Sequence, residues 1–283
     1  MRKIVLVVAP VGHHPLVGLR NPTTAKEVAQ AVIECAEAGA GMAHLHVRDD
    51  QGRLTDNPEA FTRTLDMIRA KCDIVIQGST GGTPKGGIGN LSLGERARAL
   101  DDPRVEVGSL NMGSVNFGDD PFINSGSDIR AWAELMKKKG IFPELEIFEP
   151  GMLETVRRMA SEGFLCPPYL CAFCPGYSLP ANPDVLFFIK SMLPANSLWG
   201  VNHQKMPDFS LSMTAVGMGA VYVRVGFEDG VHCAPGRIAK DNAELVQRMR
   251  DGIMGMGLEI ATPADARRLF ALKARTPCGA AGR

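Results

Sequence analysis

Apolar, β-rich runs alternate with helical patterns from one end of this chain to the other, and that alternation constrains its fold more than any single motif. The strand candidates are IVLVVAPV (4–11), MAHLHVR (42–48), DIVIQGST (73–80), VEVGSLN (105–111), PELEIFEP (143–150), PYLCAFCPG (168–176), SLWGVNHQ (197–204) and AVYVRVGF (220–227). Helices are predicted to begin near Thr24, Pro58, Ser92, Asp128, Gly151, Asn182, Asp208 and Ala239. Several open on a Ser, Thr, Asp or Asn whose side chain can satisfy the first free amides. About eight βα units is the count of a TIM (β/α)8 barrel, a fold of roughly 250 residues. The chain is therefore read as α/β, a single barrel domain over residues 1–283, with TPADARRLFALKAR as an extra C-terminal helix and a Gly/Ala-rich end expected to fray. No linker, low-complexity segment or charge block divides it. The competing architecture, a doubly wound open sheet, needs a G-x-G-x-x-G turn after its first strand, and VVAPVGHHP does not supply one.

Charge and cysteine usage narrow the partners. The 31 basic and 31 acidic residues cancel, so neither nucleic acid nor an anionic membrane is expected, and a small molecule is. No run approaches the roughly 20 apolar residues of a membrane span. The apolar start MRKIVLVVAP is broken by His13, His14 and Pro15 before it reaches signal length. Seven cysteines, an odd number placed mostly in apolar segments such as VIECAEAG and YLCAFCPG, predict reduced, buried thiols in a cytoplasmic protein. Cys171 and Cys174 form a C-x-x-C, but a zinc ribbon needs a second such pair, which the chain lacks.

The chain has six histidines, and MAHLHVRD spaces two of them by one residue. In a strand, residues i and i+2 share a face, so His44 and His46 are expected to project side by side. In a barrel of this kind the chemistry sits where strands end and βα loops begin. The predicted ends are unusually polar: His13 and His14 after the first strand, His44, His46 and Arg48 in the second, Ser79 and Thr80 after the third, and Asn111 closing the fourth. Glu144, Glu146 and Glu149 fall in the fifth, Asn202 and His203 in the seventh, and the eighth runs from Arg224 to Glu228 and Asp229. Strand two lies two places from strand eight around a closed barrel, so a carboxylate ending strand eight can reach the histidine pair. Two histidines and a glutamate with open positions form the ligand set of a catalytic zinc, cobalt or manganese ion.

The motifs HLHVRD, QGSTGGTPKGG, SLNMGSVNFGDD, ELEIFEPGML and VRVGFEDG, in this order and spacing, resemble the β-keto acid cleavage enzyme family across essentially the whole chain. The resemblance implies a zinc-containing TIM barrel, usually tetrameric, that condenses a β-keto acid with acetyl-CoA to give acetoacetate and a new acyl-CoA. It implies His44, His46 and Glu228 as metal ligands. Asp229 matches the catalytic carboxylate, with Arg224 and Glu146 as a charged chain behind it, and Ser79 matches a serine that contacts substrate and stabilises the developing oxyanion. Glu144 and Glu149 remain alternatives to Glu146 for the inward position.

The residues themselves add further expectations. Asn111 is placed to hydrogen-bond substrate. The loop TGGTPKGGIGN lets backbone amides approach an anion, with Lys85 offering a charge to a CoA phosphate. His203 reads as a satisfied core histidine. Where the family's founding enzyme has an acidic residue that pairs with its substrate's ammonium group, this chain has VGHHP, with His13 near that place. Imidazole in place of carboxylate removes the attraction for a cation, so an uncharged or anionic substrate tail is expected there. Two rival functions are a hydrolase of the amidohydrolase type, which places its H-x-H in the first strand and needs more histidines on later ones, and a non-catalytic protein that binds a metal or an acyl-CoA.

Overall fold

The computed structural model describes residues 1–12, 16, 18–81 and 91–272. Eight parallel strands form the centre: β1 (Lys3–Val8), β2 (Met42–His44), β3 (Val75–Ser79), β4 (Val107–Asn111), β5 (Phe142–Ile147), β6 (Tyr169–Phe173), β7 (Ser197–Asn202) and β8 (Tyr222–Val225). Each pairs with the next, and β8 returns to β1 in the register Val5↔Tyr222 to Val8↔Val225, which closes a TIM barrel. Every predicted strand is present, each shorter than the run that predicts it. In β1, Ile4 to Val8 are completely buried: barrel strands are covered on both faces, so they read as continuous apolar runs, and the apolar run of β1 continues past the strand into buried Ala9 and Val11.

Helices α1 (Ala25–Ala38), α2 (Pro58–Arg69), α4 (Gly126–Lys139), α5 (Gly151–Ser161), α6 (Pro183–Ser191), α7 (Ser210–Gly217) and α8 (Asn242–Gly255) follow their strands, while α3 (Leu93–Arg96) is a single turn. Thr24, Asn57, Ser92, Ser125, Asn182 and Asp241 cap their helices by accepting an amide three residues on. The fourth helix thus starts on Ser125 rather than Asp128, and the eighth on Asp241 rather than Ala239. The extra helix is α9 (Pro263–Leu269), shorter than TPADARRLFALKAR, whose last residues lie outside those described. A short strand, Glu259–Ile260, which the apolar pattern does not predict, pairs with β1 from outside the barrel. Among the described residues no helix is long and apolar enough to cross a membrane.

The second strand departs from expectation. It ends at His44, and Val47–Arg48 peels away to pair antiparallel with Leu54–Thr55. Arg48 is the cause. Its buried guanidinium donates to the carbonyls of Pro22, Gly12 and Gly52 at 2.7, 2.7 and 2.9 Å, which pulls the chain out of the sheet. At the other side of the mouth, Gly226 has φ 145°, and a Cβ there would lie 2.1 Å from the Ala9 carbonyl oxygen. Only glycine lets the end of β8 press this closely on β1. The turn is then fixed by the Glu228 amide donating to Ala9 and the Asp229 amide to Gly226, at 3.1 and 2.9 Å.

Candidate active site

Those two departures bring three ligand-type side chains together. His44 and His46 do not share one strand, yet their Nε2 atoms are 3.3 Å apart. His44 Nε2 lies 3.4 Å from Glu228 Oε1, and His46 Nε2 lies 3.9 Å from Glu228 Oε2. One donor atom from each residue falls within 4.8 Å of the others. Glu228 Oε2 is buried without a hydrogen-bond partner, which costs free energy unless something supplies positive charge. Burial works to raise the Glu228 pKa, but the imidazoles of His44 and His46 and the Arg224 guanidinium outweigh it and hold the carboxyl well below its usual range. Two imidazoles and an ionised carboxylate around a small space fit a divalent cation.

The orientation of His44 has a structural cause. Its Nδ1 is 2.9 Å from Gln77 Oε1, and the Gln77 amide nitrogen donates to Glu144 Oε2 at 2.6 Å. Since Gln77 Oε1 can only accept, Nδ1 carries a proton, which leaves Nε2, the nitrogen facing the cluster, as the one that can release its proton to a cation. Gln77 is the register neighbour of His44 across β2 and β3, and its amide spans the barrel interior past β4 to reach Glu144. Both Gln77 and Glu144 are completely buried.

Behind the cluster, Arg224 holds Asp229 by two hydrogen bonds, Nε to Oδ2 at 2.8 Å and Nη2 to Oδ1 at 2.6 Å. Its Nη1 reaches Glu146 Oε1 at 3.5 Å, so the expected chain of Asp229, Arg224 and Glu146 is present, with its second contact the looser. Burial pushes the Glu146 carboxyl up to about 7, against the pull of Arg224. Glu149 is elsewhere, accepting the Gly151 amide at the start of α5. The fifth strand therefore turns two carboxylates inward, Glu144 beneath the histidine and Glu146 beside the arginine.

Ser79 ends β3, and its Oγ accepts the Gly81 amide at 2.8 Å. It lines a cleft together with His46, Thr55, Phe61 and Arg98. Asn111, the register neighbour of Glu146, is buried with both its amide nitrogen and its oxygen unpartnered, as befits a group that bonds a ligand. His203 is a core histidine as expected: Nε2 meets the His232 carbonyl at 3.1 Å and Nδ1 the Ser212 hydroxyl at 3.4 Å. His13 and Lys85 lie outside the described residues. The motif reading does not single out Gln77, although one signal was present: it is the polar residue inside the apolar run DIVIQGST.

The chain has known relatives. A family profile described as beta-keto acid cleavage enzyme matches residues 3–272. The 3-keto-5-aminohexanoate cleavage enzyme of Fusobacterium nucleatum subsp. nucleatum is 35% identical over 281 residues, covering 96% of this chain and 99% of that enzyme. The 3,5-dioxohexanoate:acetyl-CoA acetone transferase of Paraburkholderia graminis is 30% identical over 305 residues, covering 96% of each chain. Among solved structures, apo ObcA matches with a TM-score of 0.76 at 21% identity, over 90% of this chain and 66% of that longer one, which is a likeness of fold.

Proposed function

The chain belongs to the beta-keto acid cleavage enzyme family, acyltransferases that act on a β-keto acid and acetyl-CoA, and from that premise we propose how its residues divide the work. The observation that carries the assignment is the meeting of His44, His46 and Glu228 with an arginine-held carboxylate, Asp229, at one barrel mouth. His44, His46 and Glu228 would hold a divalent ion, which we take to be zinc, and which when bound supplies Lewis acidity at the substrate's keto oxygen.

Asp229 takes the proton from the carbon between the substrate's two carbonyls. Its two oxygens are fixed by Arg224, so the carboxylate keeps one direction. The resulting carbanion attacks the acetyl thioester, and CoA leaves as its thiolate. The thiolate adds to the original keto carbon, the bond from that carbon to its neighbour breaks, and the released acetoacetate carbanion recovers the proton. The products are acetoacetate and a new acyl-CoA. The Ser79 hydroxyl already accepts the Gly81 amide, so its own proton is available to a developing oxyanion. Asn111 offers its unpartnered amide to the substrate. Glu146 steadies Arg224 from the far side. No side-chain nucleophile is required.

In this reading residues 1–283 act as one barrel domain, assembled as a homotetramer and working in the cytoplasm. The unpaired state of the six described cysteines supports a reducing location. The VGHHP sequence, with His13 where the family's founding enzyme has an acidic residue, supports a substrate tail that is not cationic. The test is to supply the zinc-loaded protein with acetyl-CoA and β-keto acids of several tail types and follow products by mass spectrometry. Acetoacetate and a new CoA ester in equal amounts are expected. Release of product that does not depend on CoA would instead favour hydrolysis.

A further inference from the structure

We propose that Lys205 and Tyr177 read the tail of the β-keto acid and select one that ends in a carboxylate. The inference rests on the cleavage reaction assigned above and names its substrate class.

Lys205 stands at the mouth beside the reacting groups. Its amide donates to the Asp229 carbonyl at 2.9 Å. Its φ of 51° is left-handed, a conformation that a residue with a side chain keeps only where its surroundings hold it. They do so here: Gly176, at φ 100°, brings the loop after β6 against the loop after β7, where a Cβ would lie 2.8 Å from the Gln204 carbonyl oxygen. The result is that the Lys205 ammonium sits 3.9 Å from the centre of the Tyr177 ring.

Tyr177 is itself one end of an aromatic arc. Its ring meets Phe117 at 4.7 Å and Phe148 at 6.1 Å, and Phe117 stacks on Phe122 at 5.3 Å. Phe122 reaches back to Gly81, beside Ser79. The arc thus follows the mouth from the loop after β3 to the loop after β6, with Arg96 over Phe122 at one end and Lys205 over Tyr177 at the other. Tyr177 lies within the field of the site: burial first, then the charges of Asp229 and Glu228, push its hydroxyl up to about 12.

The chemistry of this wall discriminates by charge. A cation over an aromatic face gains from the ring's quadrupole, but the chain fills that seat with its own ammonium. A substrate ammonium would meet like charge there. A carboxylate, crossing the apolar arc, would meet a cation that has no ion-pair partner among the described residues.

The phosphates of CoA are the other anions that could reach Lys205, so the experiment separates the two. Initial rates would be measured for three β-keto acids of equal length ending in carboxylate, carboxamide and ammonium, with the wild type, Lys205→Met and Lys205→Arg. The wild type is expected to prefer the carboxylate by about tenfold or more in kcat/KM. Lys205→Met should erase the preference by raising KM for the keto acid while KM for acetyl-CoA stays put, and Lys205→Arg should restore it. An unchanged preference in Lys205→Met, or an effect confined to KM for acetyl-CoA, would overturn the proposal. If no acid yields a CoA ester with the wild type, the cleavage reading fails and this inference falls with it.

Discussion

Arg224 grips both carboxylate oxygens of Asp229 while the same Nη2 lies 3.5 Å from Glu228 Oε1, so one guanidinium fixes the proposed base and touches a proposed metal ligand. All three groups are buried or nearly so, and removing the cation would leave carboxylates facing each other out of water. Breaking such a buried pair typically costs about 3–5 kcal/mol. Arg224→Met is therefore expected to lower stability by that order in denaturant unfolding. Asp229→Asn keeps the shape but can accept only one of the two Arg224 hydrogen bonds, so it should also unfold at lower denaturant, and the protein that remains folded should lose about 100- to 10,000-fold in kcat. Retained turnover in Asp229→Asn would remove it from the role of base.

Gln77 should matter to metal affinity without touching the metal. It fixes the His44 tautomer through a 2.9 Å contact and is itself fixed by Glu144 at 2.6 Å. Loss of such an outer partner commonly weakens metal binding about 10- to 100-fold. Gln77→Leu, titrated with zinc against a chelating dye, should show a loss in that range, with unchanged circular dichroism. Wild-type affinity in the variant would mean that His44 is held by packing alone.

Much of the fold was legible because barrel strands and capped helices carry local signals. The apolar runs found all eight strands, and side chains such as Thr24, Ser92 and Asn182 marked helix starts by the same hydrogen bonds that the structure contains. The site was legible as a set of rim residues but not in its geometry. His44 and His46 meet through a chain bend that Arg48 causes, with contacts 26 and 36 residues away in sequence that no local pattern encodes. Alternation puts Glu144 and Glu146 on one strand face and Glu149 on the other, but does not decide which face turns inward; that is settled by what stands opposite, Gln77 for Glu144 and Arg224 for Glu146. Lys205 gives no sequence signal, since its position depends on a left-handed φ and on a neighbouring loop.

The C-x-x-C should be chemically silent. Cys171 and Cys174 are buried and unpaired, and burial raises the Cys171 thiol to about 12 and that of Cys174 well above its usual value. Cys166 is exposed. At mildly alkaline pH, iodoacetamide followed by peptide mass mapping should modify Cys166 readily and the other two only after unfolding. Rapid labelling of Cys171 or Cys174 in the folded protein would contradict this burial.

Acid should loosen the start of α8. The Lys240 amide and then the Arg248 guanidinium hold the Glu244 carboxyl down to about 2 from an ordinary 4.5. A lowered carboxyl contributes stability above its unfolded value and loses that contribution as pH falls through the folded one. The window is therefore roughly pH 4.5 down to 2. Thermal melts of Glu244→Gln should lie below the wild type at neutral pH and converge with it through that window. The effect should be small, because the group is near solvent. A difference that persists at the acid end would point to a contact other than the ionised carboxylate.

The central claim is that the acetyl group of acetyl-CoA ends in acetoacetate while CoA moves to the remainder of the substrate. Acetyl-CoA isotopically labelled in both acetyl carbons, given to the zinc-loaded protein with an unlabelled β-keto acid, tests it most directly. The account predicts acetoacetate carrying both labels and a new acyl-CoA carrying none. Label in the new acyl-CoA, or unlabelled products formed while acetyl-CoA stays intact, would contradict it.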